Sequence, residues 1–163
     1  MRKYKLIRSK RKSISIKINE KASLEVRAPF HISQEEIDSF VNSKEEWIAK
    51  HTKEISEKYN CVCVLKGRRT VITDGKKVFI NPTGNSALAK AGTGDVLAGI
   101  TAGLFVQLIK QNAEDAALKA ACAGVYLHGL CADIALKDYG AYSVMASDLN
   151  KYLGRAIKNV KEK

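Results

Sequence analysis

Glycine is confined to one part of this sequence, and that asymmetry constrains the fold more than any other feature. All 11 glycines of the 163-residue chain lie after residue 60. Residues 1–60 therefore lack the residue that most readily forms left-handed turns, whereas residues 61–163 carry glycine turns between apolar runs. The sequence predicts two parts that meet near Asn60: a small hairpin-helix unit over 1–60 and an α/β unit over 61–163.

The first part has the pattern of a β-hairpin followed by a helix. Residues 14–18 and 23–27 alternate apolar and polar side chains on either side of the polar turn Asn19-Glu20-Lys21, which is typical of two strands with one buried face. Ser33 and Glu36 have the spacing of a capping box. We therefore predict a helix that begins after Ser33 and continues to about Lys58.

The second part alternates strand and helix signals. Residues 61–65 form an apolar run typical of a buried strand, and residues 70–73 and 77–80 flank Asp74-Gly75, a hairpin signal. Helices are predicted over about 96–110, 113–137 and 147–160. Gly99 and Gly103 are four residues apart, which favours close helix packing, and His128 lies in an apolar helix, which favours a packing role.

Composition limits the class of protein. Apolar residues make up 45% of the chain, as in globular proteins. The longest apolar run, residues 96–109, is interrupted and shorter than the ~18 residues of a membrane span, and no secretory signal follows the basic start. We expect a cytoplasmic protein without a membrane segment. The spacing of Cys61 and Cys63 is not that of a zinc site, so the four cysteines are interpreted as buried thiols.

The chain is strongly basic, with a formal net charge of +11. The first 27 residues carry ten Lys or Arg against two acidic residues. Such a ribbon could bind nucleic acid through phosphates, but Tyr4 is the only aromatic residue there to stack on bases. The solvated face of a hairpin is the favoured interpretation, and part of the charge could steer an anionic nucleotide.

The motif with the clearest chemical meaning is Gly92-Thr93-Gly94-Asp95, directly before an apolar helix. Free N–H groups and the helix dipole make such a start an anion site. Asp95 could accept a proton from a hydroxyl while the N–H groups stabilise a transferred phosphoryl group. Alternatively, Asp95 is only the N-cap of the helix. Leu97 occupies the place of the third glycine, so the motif is not the Rossmann fingerprint.

Five segments occur in one order and together carry a resemblance to a known family. They resemble the C-terminal part of the ADP/ATP-dependent NAD(P)H-hydrate dehydratases, a ribokinase-like branch, over about residues 62–160. The segments are residues 64–70 (VLKGRRT), 80–85 (INPTGN), 92–97 (GTGDVL), 125–129 (VYLHG) and 146–149 (ASDL). The resemblance implies an α/β chain: a partial ribokinase-like fold preceded by the hairpin-helix unit.

The resemblance also implies roles for residues. Asp95 would be the catalytic carboxylate, acting on the hydroxyl of the hydrated nicotinamide ring. The other implied roles are an anion hole from Gly92, Thr93 and Gly94, an adenine-nucleotide site from Lys66, Gly67 and Thr70, and substrate contacts from Asn81 and Asn85. The implied reaction consumes ADP or ATP with Mg²⁺ and restores the nicotinamide dinucleotide from NAD(P)H-hydrate. No protein metal ligands are implied.

Residues 1–60 resemble a different family, the YgjP-type predicted zinc metallopeptidases. Residues 8–16, 26–29 and 33–48 carry that resemblance, but the chain contains no His-Glu-x-x-His motif, so peptidase activity is not expected. A ribokinase-like half alone would expose strand edges and a helix face. Either residues 1–60 cover these surfaces or another copy of the chain does, and the second option predicts a homo-oligomer. Two alternatives to the dehydratase stay open: a non-catalytic module that binds nucleotide or nucleic acid, and an inactive chimera.

Overall fold

A computed structural model describes residues 4–19 and 23–161 of the chain. The chain divides into two compact units, Met1–Ile80 and Asn81–Lys163. Each unit has its own cluster of buried apolar side chains. The strands predicted after residue 60 thus belong to the first compact unit, and the glycine-rich motif belongs to the second.

The first unit begins with a three-stranded sheet. Its strands are β1 (Lys5–Arg8), β2 (Ser15–Ile18) and β3 (Leu24–Ala28), in the order β1-β3-β2. The antiparallel pairing of β2 with β3 confirms the predicted hairpin, although part of its turn, Glu20 and Lys21, lies outside the described residues. The parallel pairing of β1 with β3 was not predicted, because β1 is short and its partner is distant in sequence.

The helix predicted from Ser33 to about Lys58 forms as two helices, α1 (Gln34–Asn42) and α2 (Glu45–Tyr59). The capping box is confirmed, since the Glu36 N–H donates to Ser33 Oγ at 3.2 Å and the Ser33 N–H donates to Glu36 Oε2 at 2.9 Å. The single-helix prediction is wrong at Ser43, whose hydroxyl donates to the Phe40 carbonyl at 2.8 Å. This local hydrogen bond competes with the helical ladder.

A second antiparallel sheet completes the first unit. It contains β4 (Cys63–Leu65), β5 (Val71–Thr73) and β6 (Val78–Ile80), in chain order. The predicted turn at Asp74-Gly75 is confirmed: Gly75 has a φ of 87°, and Asp74 Oδ1 accepts from the Lys76 and Lys77 N–H groups at 2.9 and 2.7 Å. These hydrogen bonds lower the pKa of the Asp74 carboxyl.

The second unit is helical. A single 3₁₀ turn, Ser86–Leu88, precedes α3 (Thr93–Lys110), α4 (Ala116–Ser143) and α5 (Asp148–Lys161). The three helices confirm the predicted ones, although α4 extends beyond residue 137 with a non-helical residue at Gly140. Leu149, Cys131 and Ala135 are fully buried in the core between α4 and α5.

Helix α3 differs from the other helices of its unit in being both apolar and exposed. Among the described residues it is the one helix long and apolar enough to cross a membrane by length and composition, and 11% of it is buried. The apolar run in the sequence, residues 96–109, is shorter than a membrane span. The helix is longer than that run, because it begins at Thr93 and includes the small residues of the motif.

The cysteines are free thiols, but they are not all buried. Cys63 and Cys131 are buried, Cys122 is half-buried, and Cys61 is exposed, so the expectation of buried thiols is wrong for Cys61. Strand β4 starts at Cys63, two residues later than predicted, and Cys61 lies in the bend before it. Burial raises the pKa of the Cys63 and Cys131 thiols to about 11.

Candidate nucleotide site at the start of α3

The turn before α3 leaves backbone N–H groups open. Gly92 is the N-cap, with a φ of 84°, and its carbonyl accepts from the Asp95 and Val96 N–H groups at 3.1 and 3.2 Å. In the described part of the chain, the N–H groups of Thr93 and Gly94 have no acceptor. Asp95 is therefore the third residue of the helix, and its interpretation as the N-cap is wrong.

Two side chains fix the first residue of α3. The Thr93 hydroxyl lies 2.9 Å from the Leu88 carbonyl oxygen and 3.0 Å from that of Lys90. His128, buried on α4, has its Nε2 2.8 Å from the Thr93 carbonyl oxygen, to which an Nε2–H donates. The packing role predicted for His128 agrees with this position. Thr93 can therefore offer a ligand its backbone N–H, because its hydroxyl is already engaged.

Asp95 is presented to solvent. Its side chain is exposed, and within residues 4–19 and 23–161 its carboxylate has no hydrogen bond or ion pair. It lies within one helical turn of the open N–H groups of Thr93 and Gly94. The carboxylate can accept a proton from a ligand, and the two N–H groups can donate to an anionic group of the same ligand. The site therefore suits a ligand that carries both groups close together.

The loop that holds Asn81 and Asn85 is tied to α4. Asn81 Nδ2 donates to the Thr83 carbonyl oxygen at 2.9 Å, and the Thr83 hydroxyl donates to the Tyr126 carbonyl oxygen at 2.8 Å. Asn85 Oδ1 accepts from the Ala87 N–H at 2.9 Å and so caps the 3₁₀ turn. Both asparagines hold the loop in shape, and their contact with substrate stays a prediction.

Asp133 anchors the same loop and was missed by sequence reasoning. Its two carboxylate oxygens accept from the Gly84 N–H and from Asn85 Nδ2, each at 2.9 Å. Its neighbours Ala132 and Ile134 are buried. A carboxylate within an apolar helix is the signal that could have identified it, because such a group requires partners.

Two glycines on α4 allow neighbouring backbone to lie close to that helix, whereas Gly99 and Gly103 on α3 have no such neighbour. A Cβ on Gly129 would lie 2.7 Å from the Thr83 carbonyl carbon and 2.9 Å from the Gly84 nitrogen. A Cβ on Gly124 would lie 3.2 Å from the Thr101 Cα. By contrast, a Cβ on Gly99 or Gly103 would meet no atom within 4 Å. The predicted packing role of Gly99 and Gly103 is therefore wrong, because they lie on the exposed side of α3.

Lys90, in the turn before the motif, caps the end of α4. Its ammonium nitrogen lies 2.5 Å from the carbonyl oxygen of Val144, 2.7 Å from that of Tyr142 and 3.3 Å from that of Ala141. Ala141 and Tyr142 belong to the last turn of α4, and Val144 is the residue that follows it; carbonyls at a helix end lack helical partners. Lys90 thus ties the turn that carries Gly92 to the C-terminal end of another helix.

The other predicted nucleotide residues lie in the first unit. Thr70 is buried, and its hydroxyl donates to the Gly67 carbonyl oxygen at 2.9 Å while the Gly67 N–H lies 3.3 Å from the same hydroxyl. This pair closes the loop between β4 and β5. Lys66 is exposed at the end of β4. The structure brings Gly92, Thr93, Gly94 and Asp95 together in the second unit, and Lys66, Gly67 and Thr70 together in the first.

The chain is similar to known proteins over most of its length. The family model described as NAD(P)H-hydrate dehydratase matches residues 34–155. A bifunctional NAD(P)H-hydrate repair enzyme of Moorella thermoacetica is 45% identical over 115 residues, which are 67% of this chain and 20% of the relative. The crystal structure of the Bacillus subtilis ADP/ATP-dependent NAD(P)H-hydrate dehydratase, co-crystallised with ATP/Mg²⁺, superposes with a TM-score of 0.62 at 38% identity, covering 73% of this chain and 41% of that chain.

A ribokinase-like superfamily protein from Enterococcus faecalis V583 matches with a TM-score of 0.55 at 30% identity, over 68% of this chain and 36% of its own. The fold and the glycine-rich helix start thus define a mixed α/β protein with a partial ribokinase-like fold. The chain belongs to the NAD(P)H-hydrate dehydratase family. The match begins at residue 34, earlier than the motifs had indicated, and the chain spans about a fifth to two-fifths of the length of these relatives.

Proposed function

We propose that this chain carries out the ADP- or ATP-dependent dehydration of NAD(P)H-hydrate. Family membership supports the proposal, and one structural observation carries it: the exposed Asp95 carboxylate lies beside the free N–H groups of Thr93 and Gly94 at the start of α3. A proton acceptor and anion donors are the two elements that phosphoryl transfer to a hydroxyl requires.

In this mechanism, each residue has one task. Asp95 accepts the proton of the substrate hydroxyl as that oxygen attacks the terminal phosphorus of the nucleotide. The N–H groups of Thr93 and Gly94 donate to phosphoryl oxygens whose negative charge increases during transfer. The bond between the terminal phosphorus and the rest of the nucleotide breaks, so the nucleotide leaves one phosphoryl group shorter. Phosphate is a better leaving group than hydroxide, and its departure from the ring, with loss of a proton from the neighbouring ring carbon, restores the double bond of the nicotinamide dinucleotide. Gly92 permits the left-handed turn that aims these N–H groups outward.

Mg²⁺ suits this site only as a companion of the nucleotide. In the part of the chain that the structure describes, no group of three or more His, Cys, Asp or Glu side chains could hold a metal ion. Mg²⁺ is commonly held by substrate phosphates and one or two carboxylates. The phosphates of the nucleotide would therefore hold the cation, which would neutralise their charge, and Asp95 stays free to accept the proton.

A second candidate function is nucleotide binding without turnover. The loop of Asn81 and Asn85 favours it, because both side chains are already engaged within that loop or with α4. An anion site at a helix start requires only the N–H groups of Thr93 and Gly94, whereas a complete substrate pocket requires further side chains. In this candidate these N–H groups bind nucleotide phosphates as in the first, and Asn81 and Asn85 bind no substrate.

Thermal unfolding with Mg-ADP or Mg-ATP tests nucleotide binding. At 100 times its dissociation constant, a ligand stabilises by about 2.7 kcal/mol, which raises the melting temperature by a few degrees. Lys66→Ala and Gly94→Val should remove the rise, whereas Lys76→Ala, at another exposed lysine of the first unit, should keep it. No rise in a cooperatively melting chain would contradict both candidate functions.

Asp95→Asn separates the two candidates. The amide cannot accept the hydroxyl proton, so recovery of NADH from its hydrate should fall by at least about 100-fold, while the nucleotide-dependent rise in melting temperature is kept. Glu114→Gln, at an exposed carboxylate of the same unit, should leave turnover unchanged. Nucleotide binding without turnover in the unchanged chain selects the non-catalytic candidate, and full turnover in Asp95→Asn removes Asp95 from the mechanism.

A further inference from the structure

Two cysteines of the first unit lie side by side where the chain enters β4. Cys61 Sγ is 3.9 Å from Cys63 Sγ, and Val62 separates the two residues in the sequence. Two cysteines can be joined without moving the backbone when their Cβ atoms do not point apart. The near contact of the two sulfur atoms meets that condition.

Hydrogen bonds of the backbone hold both cysteines in place. The buried Ser56 of α2 donates its hydroxyl to the Cys61 carbonyl oxygen, and the Cys61 N–H donates to the Ser56 carbonyl oxygen at 3.2 Å. Cys63 is paired with Thr73 in the antiparallel register of β4 and β5. The Ser56 hydroxyl also lies 3.1 Å from the Thr73 carbonyl oxygen. The contact between the two sulfur atoms therefore belongs to the packed fold and not to a loose loop.

The two thiols differ in their access to solvent. Cys61 is exposed, whereas Cys63 is buried, with 6% of its surface accessible. An oxidant in solution therefore reaches Cys61 first. Burial, together with the neighbouring Cys61, raises the pKa of the Cys63 thiol to about 11. Because the thiolate is the reactive form of cysteine, Cys63 stays reduced beside Cys61 at neutral pH.

An exposed thiol without a partner is oxidised in steps. A peroxide first converts it to a sulfenic acid, which is reversible, and then to sulfinic and sulfonic acids, which thiols do not reduce. A second thiol within reach ends this sequence at the first step, because it condenses with the sulfenic acid to a disulfide. Cys63 is in position to do this for Cys61.

We propose that Cys61 and Cys63 form a reversible oxidation site that reacts with a peroxide and closes to a disulfide. With hydrogen peroxide, the Cys61 sulfur attacks one oxygen, the O–O bond breaks, and water leaves with the thiol proton. The Cys63 sulfur then attacks the sulfur of the Cys61 sulfenic acid, and its proton leaves with the displaced hydroxide as a second water. The two thiols lose two electrons and two protons, and the peroxide is reduced to two molecules of water.

Mass spectrometry after oxidation tests the site. Hydrogen peroxide is added to the folded chain at neutral pH, and the remaining thiols are blocked with N-ethylmaleimide in urea. Trypsin then releases residues 59–66, which contain both cysteines of the pair and no other cysteine. This peptide should lose two hydrogens and take up no maleimide, whereas reduction with dithiothreitol before blocking should restore the uptake of two maleimides. The proposal does not rest on the proposed function, since the thiols lie in the first unit and the readout is mass.

Single substitutions assign the two roles. In Cys63→Ala the sulfenic acid of Cys61 has no partner, so its capture by dimedone should rise several-fold over the unchanged chain. In Cys61→Ser the buried Cys63 should stay a thiol and take up one maleimide. Cys122→Ala is the matched control, because it removes a half-buried thiol of α4 and should leave the disulfide in residues 59–66 unchanged. Circular dichroism verifies that the three variants keep their helices.

Three results would overturn the proposal. The first is a peptide of residues 59–66 that still takes up two maleimides after treatment with excess peroxide. The second is a Cys61 that reaches the sulfinic acid equally fast in the unchanged chain and in Cys63→Ala. The third is a disulfide between the Cys61 residues of two chains, seen as a dimer on non-reducing electrophoresis and lost in Cys61→Ser.

Discussion

At the scale of single residues, contacts distant in sequence hold the candidate site together. Asp133 and Thr83 tie the loop of Asn81 and Asn85 to α4, and His128 reaches the first residue of α3. Gly129 makes this possible, because any side chain there would overlap Thr83 and Gly84. The loop and the helix therefore depend on each other for their shape.

Gly129→Ala should lower the free energy of unfolding by about 1–3 kcal/mol, because the added methyl group must displace the loop backbone. Gly154→Ala is the control: a Cβ at this helical glycine of α5 meets nothing within 4 Å, so alanine should be neutral or stabilise by up to about 1 kcal/mol. Urea unfolding of both variants measures the difference. Equal stabilities would contradict the close contact between α4 and the loop.

At the scale of elements, local sequence rules predict where helices begin better than where they break. The capping box at Ser33 and the turn at Asp74-Gly75 formed as predicted, since both depend on residues a few positions apart. The break at Ser43 did not follow from the apolar pattern, because it depends on one hydroxyl that bonds to a carbonyl three residues earlier. Strand β1 escaped prediction because its partner β3 is about twenty residues away.

Ser33→Ala should destabilise α1 and lower the free energy of unfolding by about 1 kcal/mol, because the Glu36 N–H loses its acceptor. Ser13→Ala, at an exposed serine outside the strands, should cost less than about 0.5 kcal/mol. Chemical denaturation followed by circular dichroism compares the two. A loss in Ser33→Ala no larger than in Ser13→Ala would show that the cap contributes nothing.

At the scale of the whole molecule, the sequence predicted the α/β class and the family, and ordered motifs carried that prediction. It also placed Gly92, Thr93, Gly94 and Asp95 at one helix start. It did not predict the exposed side of α3. An apolar pattern indicates which residues favour burial, but it does not indicate whether another part of the chain packs against them. Burial of a whole helix depends on surfaces that no local rule describes.

The stability of the whole chain should fall as the pH rises from about 9 to about 11. Burial raises the pKa of the Cys131 thiol to about 11, above its ordinary 9.0. Between these values the unfolded chain has released a proton that the folded chain retains, so raising the pH favours unfolding. This contribution is intact below pH 9. Unfolding free energies measured across this range should decrease.

Cys131→Ala should reduce the fall with pH, because it removes one of the titrating groups. Ile134→Val is the control, since Ile134 lies in the same buried cluster and carries no proton to release. It should lower stability by about 0.5–1.5 kcal/mol at every pH and leave the slope unchanged. A slope equal in all three proteins would mean that the Cys131 thiolate is tolerated in the fold.

The contact of Lys90 has a consequence for recognising this site in other sequences. The Lys90 ammonium nitrogen donates to three carbonyls that converge on it, whereas the donors of arginine are spread over a rigid plane and cannot all point at one position. Replacement of Lys90 by arginine would leave the sequence of the glycine-rich motif unchanged, and we expect it to hold the turn before the motif less closely. The residue two positions before Gly92 should therefore be considered together with the motif when this helix start is sought in another sequence.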